Sequence, residues 1–122
     1  MTSKIAKALD ATQELEITVT GRTSGKNITL PVWFVRHQDR LYLLPVRGSE
    51  TQWYRNVLQT PVMTIKADGT TAGVQAKPIR DAKRIGEIAD QFRKKYGAGE
   101  VKKYYSKFDA AVEIELPKQA AA

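Results

Sequence analysis

The sequence predicts an α+β fold, mainly β with α: six antiparallel strands rolled toward a small barrel, with flanking helices. Short runs of apolar residues alternate with polar ones through the first two-thirds of the chain, the period of half-buried strands. Most of these runs are joined by turns too short for the helical crossovers of a parallel sheet. The one long helical pattern comes late, between Asp81 and Gly97, and a last strand-like run follows it. Closing such strands into a barrel removes exposed sheet edges.

Each element has its own signal. Residues 1–13 form an N-terminal segment in which Ile5, Ala8 and Leu9 share one side of a short amphipathic helix, docked on the domain. From Glu14 to Thr20, Leu15, Ile17 and Val19 face one way. The turn Gly21-Arg22-Thr23-Ser24-Gly25-Lys26 interrupts, and alternation resumes from Asn27 to Val35. Pro31 cannot donate to a ladder, so it marks an edge or a bulge. A turn at His37 to Arg40 leads to a third strand, Arg40 to Val46. Ser49, three residues before Gln52, reads as a capping box opening a helix of about two turns that stops before Pro61.

Val62 to Ala67 and Thr70 to Ile79 flank Asp68-Gly69, a strong hairpin signal. Asp81 caps the long helix, which buries Ile85, Ile88, Ala89, Phe92 and Tyr96. Gly97 ends it. Glu100 to Phe108 reads as a second helix and Ala111 to Leu116 as the sixth strand, with Pro117 ending it and residues 118–122 a frayed tail.

Composition narrows function. The 122 residues fit one domain, 1–122. There is no cysteine and one histidine, which excludes thiolate metal sites, cysteine nucleophiles and multi-histidine centres. No apolar run approaches a membrane span of ~18 residues, and no signal peptide is visible, so a cytoplasmic protein is expected. A net charge of +7 favours anionic partners without choosing among nucleic acid, lipid and phosphorylated cofactor.

Two segments carry candidate chemistry. In the first, backbone N–H groups of the Gly21–Lys26 turn, with Arg22, Lys26 and the Ser24 hydroxyl, can hold one anion; an ordinary solvated hairpin turn explains the same residues. In the second, Arg47-Gly48-Ser49 precedes a helix whose N-terminus carries partial positive charge. Trp53 either stacks on a heterocycle or fills core, and Asn56 either bonds a ring carbonyl or caps the backbone. Trp33 and Pro31 share the less apolar face of their strand, which suits a ligand wall or a subunit interface. Tyr104 and Tyr105 pack or cover a cleft mouth. A basic barrel that stacks single-stranded nucleic acid on aromatics is the alternative from another class, but no strand shows the interleaved aromatic and basic platform, and no specific nucleic acid is expected.

Gly21-Arg22-Thr23-Ser24-Gly25-Lys26, the Pro31 strand, Leu41-Tyr42-Leu43, Gly48, Trp53-Tyr54-Arg55-Asn56 and Pro61 together resemble the deazaflavin (F420)-dependent nitroreductase family. It lies within the flavin and deazaflavin oxidoreductases related to pyridoxamine phosphate oxidase. The resemblance implies a six-stranded antiparallel split β-barrel with flanking helices, acting as a homodimer. It also implies hydride transfer from reduced coenzyme F420 to a small organic acceptor, whose identity is not specified. By position, Arg22, Thr23, Ser24 and Lys26 would lie near the phosphate and the anionic tail. Pro31 and Trp33 would line the cofactor groove. Val46, Arg47 and Gly48 would offer backbone donors to the ring, with Gln52, Trp53 and Asn56 closing its other side. Thr23 stands where many members carry a basic residue and Val46 where a serine is common, so FMN stays open as the cofactor. A non-catalytic cofactor-binding protein is the second reading within the family. No catalytic acid–base pair is implied, because the cofactor carries the hard step.

Overall fold

One ten-residue strand joins two halves of a curved sheet. A computed structural model describes residues 4–116; the expected stop at Pro117 and the tail at 118–122 lie outside the described residues, as do residues 1–3. The strands are β1 (Leu15–Thr20), β2 (Asn27–Val32), β3 (Val35–His37), β4 (Arg40–Leu43), β5 (Val62–Ala67), β6 (Thr70–Ile79) and β7 (Ala111–Glu115). All pairings are antiparallel, in the order β2-β1-β5-β6-β7-β4-β3. The first part of β6, Thr70–Gln75, pairs with β5, and its last part, Ala76–Ile79, pairs with β7. This is the antiparallel split barrel with flanking helices that the sequence predicts, with seven strands in place of six.

The extra strand comes from a break. Alternation reads Asn27 to Val35 as continuous, but β2 ends at Val32 and β3 starts at Val35. Phe34 and Val35 are both buried, which a flat strand with one covered face does not allow. The break has partners that replace the ladder. The Phe34 N–H donates to the Tyr96 hydroxyl at 3.1 Å, and the Phe34 carbonyl accepts from Lys95 Nζ at 2.8 Å. β2 and β3 are the two edges of the sheet order, and only Trp33 and Phe34 separate them. The sheet therefore curls until its edges meet at this bend, where the barrel is split.

Five helical segments flank the sheet: α1 (Lys4–Asp10), a 3₁₀ turn (Gly48–Glu50), α2 (Gln52–Gln59), α3 (Ala82–Tyr96) and α4 (Ala98–Tyr104). As expected, α1 docks through Ile5, Ala8 and Leu9, with Ala6 buried beside them. The Asp68-Gly69 hairpin forms with both residues at positive φ, 46° and 77°, the pair that a two-residue turn of matching twist requires. Asp81 caps α3 by accepting from the Arg84 N–H at 2.9 Å. α4 starts and stops earlier than the expected Glu100–Phe108. The Ser106 N–H turns away to the Val46 carbonyl at 2.9 Å, and Lys107 bridges to Arg47.

The core has two parts. Inside the barrel, Leu15, Ile17, Leu41, Ile65 and Ile114 pack with α1 and with Trp53, Tyr54 and Val57 of α2. On the other side of the sheet, Val35, Leu44, Ile79 and Ala111 pack against Ile85, Ile88, Ala89 and Phe92 of α3 and Val101 of α4. The second part fixes α3 and α4 over the bend, and that placement builds the site.

Candidate functional site

A cleft of about 780 Å³ opens between the split edge of the barrel, the start of α2 and α4. Leu30, Pro31, Val32 and Trp33 supply one wall from β2 and the bend. Val46, Arg47, Gln52 and Trp53 supply the facing wall, and Tyr104, the last residue of α4, and Tyr105 just after it close the cleft. The lining is mainly apolar and aromatic with a few polar groups, the usual make-up of a small-molecule site.

The aromatic wall is held in place by α3. Trp33 lies parallel to Tyr96, with centroids 4.2 Å apart and planes 8° apart. Tyr104 meets Trp33 edge-on at 5.5 Å and is 51% exposed, so it stands at the mouth. Tyr105 is buried and packs edge-on against Phe92 at 5.8 Å. Burial raises the phenol pKa of Tyr105 and pushes that of Tyr96 up to about 12, so both stay neutral donors at ordinary pH. The Tyr96 hydroxyl accepts from the Phe34 N–H, and its single proton can go to the Gln13 carbonyl at 2.7 Å or to the Phe34 carbonyl at 2.9 Å.

The facing wall rests on a second clamp. Ser49 does not cap α2. Its hydroxyl donates to Asp109 Oδ2 at 2.6 Å and its N–H to Asp109 Oδ1 at 2.8 Å. Thr51 occupies the N-cap position without a side-chain cap bond; its hydroxyl accepts from the Arg47 N–H at 2.8 Å instead. Gly48 sits at φ +56°, and a Cβ there would fall on Asp109 Oδ1. The Ser49 hydrogen bonds hold the Asp109 carboxyl below its ordinary value; Lys107 and Arg80 add to this, while partial burial opposes it.

Six of the twelve residues expected near a cofactor line this cleft: Pro31, Trp33, Val46, Arg47, Gln52 and Trp53. Gly48 is buried beside Asp109. Arg22 and Asn56 bind each other: the Arg22 guanidinium and its N–H both donate to the Asn56 side-chain oxygen, at 2.7 Å and 3.1 Å. Arg22 also donates to Gln52 Oε1 at 2.7 Å, which ties the turn to a cleft residue. Thr23, Ser24 and Lys26 are exposed on the turn, where the Ser24 hydroxyl accepts from the Lys26 N–H at 3.1 Å. Trp53 both lines the cleft and belongs to the barrel core at 4% exposure. Sequence reasoning missed Tyr96 as the support of Trp33 and Asp109 as the support of the Gly48 turn. Helical spacing marked Tyr96 only as core, and nothing local marks Asp109.

Among the described residues, no group of His, Asp and Glu could hold a metal ion, and no helix is long and apolar enough to cross a membrane. A family model described as an uncharacterized protein conserved in bacteria, DUF2255, matches residues 6–115. No curated protein matches. Among solved structures, an F420-H2 dependent reductase (FDR-A) is similar with a TM-score of 0.64 at 18% identity, covering 84% of this chain and 94% of that one. HutZ, a heme storage protein from Vibrio cholerae, is similar with a TM-score of 0.69 at 16% identity over 98% and 93% of the two chains. A putative pyridoxamine 5'-phosphate oxidase from Listeria innocua is similar with a TM-score of 0.69 at 17% identity over 95% and 92%. At these identities the likeness is one of fold.

Proposed function

We propose that this chain, which belongs to the DUF2255 family, is an oxidoreductase that works with a flavin or deazaflavin, F420 in preference to FMN, on a small organic acceptor. The observation that carries the reading is the cleft between Trp33 and Trp53, with Arg47 beside it and Gln52 bonded to Arg22 of the basic turn. A flat ring fits an apolar slot between aromatic side chains. An anionic chain would run from Gln52 to the basic turn that Arg22 ties to it. The net charge of +7 raises the local concentration of such an anion.

The residues present suit such a group. Pro31, Trp33 and Trp53 would hold its ring, and Val46, Arg47 and Gln52 would orient its polar edge. Gly48 and Asn56 support from behind: Gly48 by letting Asp109 lock the turn, Asn56 by locking Arg22. Thr23, Ser24 and Lys26 would face the tail. When bound, the cofactor supplies a hydride, and the chain needs no acid–base pair of its own. Tyr104, half-exposed at the mouth, would shield the cleft from water and present its hydroxyl to the acceptor. A homodimer is part of this reading; one structure of similar fold, at 18% identity, is described as a domain-swapped dimer.

The test is a titration of the purified protein with F420 and with FMN, followed by cofactor fluorescence. Tighter binding of F420 is expected. Stronger FMN binding would reassign the cofactor, and no binding of either would overturn the reading. Binding of F420 without turnover of any acceptor would leave a non-catalytic cofactor-binding protein.

A further inference from the structure

No contact within the chain requires the glycine at position 73. Gly73 lies inside β6, opposite Thr64 of β5 in an unbroken antiparallel register. Its φ is not in the left-handed region, and a Cβ there would meet nothing within 4 Å. A glycine inside a strand weakens it, and it marks a bulge, a tight bend or the close approach of another backbone. The register holds no bulge, and β6 passes from β5 to β7 only after Gln75. Approach from outside the chain remains.

Gly73 stands on an open face. α1 and α2 pack inside the barrel, and α3 and α4 pack on the side of β3, β4 and β7. Among the described residues, no helix covers the outer face of β2, β1, β5 and the first part of β6. Register sets Thr29, Thr18, Thr64 and Gly73 in one row across these four strands. All are short, and the Thr18 and Thr29 hydroxyls bond each other at 2.8 Å. In the next outward row Glu16 lies opposite Lys66. Both are exposed, and neither makes an ion pair among the described residues. On the other side of the central row, Val62 is 62% exposed. A flat, charge-poor face with an exposed valine has the make-up of an interface centre.

We propose that this face binds the same face of a second copy, in a dimer whose two-fold axis runs along the strands between β1 and β5. The charges choose that partner. Such an axis lays β1 over the partner's β5 and β2 over the partner's β6. Glu16 then meets the partner's Lys66 and Lys66 meets the partner's Glu16, so each lone charge gains its opposite, twice over by symmetry. Thr18 meets the partner's Thr64. Gly73 meets the partner's Thr29, where a larger side chain would hold the sheets apart. Sheets packed face to face lie about 10 Å apart with strands within about 30° of each other, a spacing that short residues along the central row allow. The inference gives a face to the homodimer of the proposed function, but it rests on the sheet alone and stands whether or not a cofactor binds.

The experiment measures the mass of the whole chain by analytical ultracentrifugation at micromolar concentration and low salt, with no cofactor added. A mass of twice the 13.7 kDa chain is expected. Gly73→Arg should be monomeric with an unchanged circular dichroism spectrum, since its Cβ has room within the chain. Glu16→Lys and Lys66→Glu, each alone, set like charges face to face and should weaken the dimer on the order of ten-fold. An equal mixture of those two variants should dimerise as the wild type does. Mixing cannot repair a repulsion inside one chain, so recovery reads the exchange between copies. A monomeric wild type overturns the proposal, and so does a dimer that survives Gly73→Arg. A dimer that both charge variants leave untouched, or that mixing does not restore, overturns this two-fold. Circular dichroism checks each variant, and if Gly73→Arg is unfolded the charge mixture decides.

Discussion

The side-chain oxygen of Asn56 accepts from Arg22 twice, from the guanidinium at 2.7 Å and from the backbone N–H at 3.1 Å. Asn56 is 4% exposed, so this pair fixes the β1–β2 turn onto α2 from inside. The two cations of the turn therefore differ. Arg22→Ala keeps the backbone N–H on that oxygen but removes the guanidinium bonds to Asn56 and Gln52, and should cost about 1–2 kcal/mol of stability. Lys26→Ala removes only an exposed charge and should change stability by less than about 0.5 kcal/mol. If the turn meets an anionic tail, Lys26→Ala should weaken cofactor binding at low salt by up to about 1 kcal/mol. Urea melts and a titration measure both. Equal stability loss in the two variants would refute the distinction.

Gly48 and Asp109 make the second turn a single unit. Gly48→Ala forces a Cβ onto Asp109 Oδ1 at a φ of +56°, and a cost of about 2 kcal/mol or more is expected from strain alone. Adding Asp109→Ala should return part of that loss, because it removes the clash but not the φ penalty. A double-mutant cycle from thermal melts checks it; strict additivity would show that the two residues do not compete for the same space.

Asp109 also sets an acid limit. Its folded pKa is depressed, first by the Ser49 hydroxyl, below the ordinary value of 3.8. The unfolded chain then binds the proton more readily, so the stabilisation is complete above the ordinary carboxylate range. It is lost as pH falls from there through the folded pKa. The stability difference between the wild type and Asp109→Asn should be constant from neutral pH to about 5 and shrink below about 4. A difference that stays flat down to about pH 2.5 would remove Asp109 from the acid response.

Tyr54 is fully buried and its hydroxyl has no hydrogen-bond partner among the described residues. An unmade buried hydrogen bond carries a desolvation cost. Tyr54→Phe should therefore be neutral or stabilising, by up to about 1 kcal/mol. Destabilisation by more than about 1 kcal/mol would mean that the hydroxyl has a partner, such as a buried water.

Signals at short range were legible in the sequence. Alternation placed Leu15, Ile17 and Val19, the Asp68-Gly69 turn gave its hairpin, and Asp81 gave the α3 cap. Partners far apart in the chain were not. Ser49 satisfies the local rule for a capping box, yet its hydroxyl goes to Asp109, sixty residues on. The strand pattern through Trp33 and Phe34 looks unbroken because the groups that break it, Lys95 and Tyr96, arrive from the end of α3. The cleft was half legible. Pro31, Trp33, Val46, Arg47, Gln52 and Trp53 meet there, but Tyr104 and Tyr105 come from the end of a helix that composition alone could not orient.

Trp33 and Tyr96 give the prediction on which the cleft most depends. The Tyr96 ring supports the Trp33 indole by stacking, while its hydroxyl holds the Phe34 N–H at the split of the barrel. Tyr96→Phe keeps the ring and removes the hydroxyl. The Phe34 N–H loses its acceptor, and a cost of about 1–3 kcal/mol is expected. Tyr96→Leu also removes the stack, worth about 0.5–1.5 kcal/mol beyond its area. Trp33 is the natural reporter, since the only other tryptophan is Trp53. In a Trp53→Phe background, Tyr96→Leu should shift the Trp33 emission toward the red as its covered face becomes wet. Tyr96→Phe should shift it less. If the cleft binds a flat cofactor, affinity should fall in the same order. An unchanged emission spectrum in both variants, in proteins that still fold, would show that Tyr96 does not position Trp33.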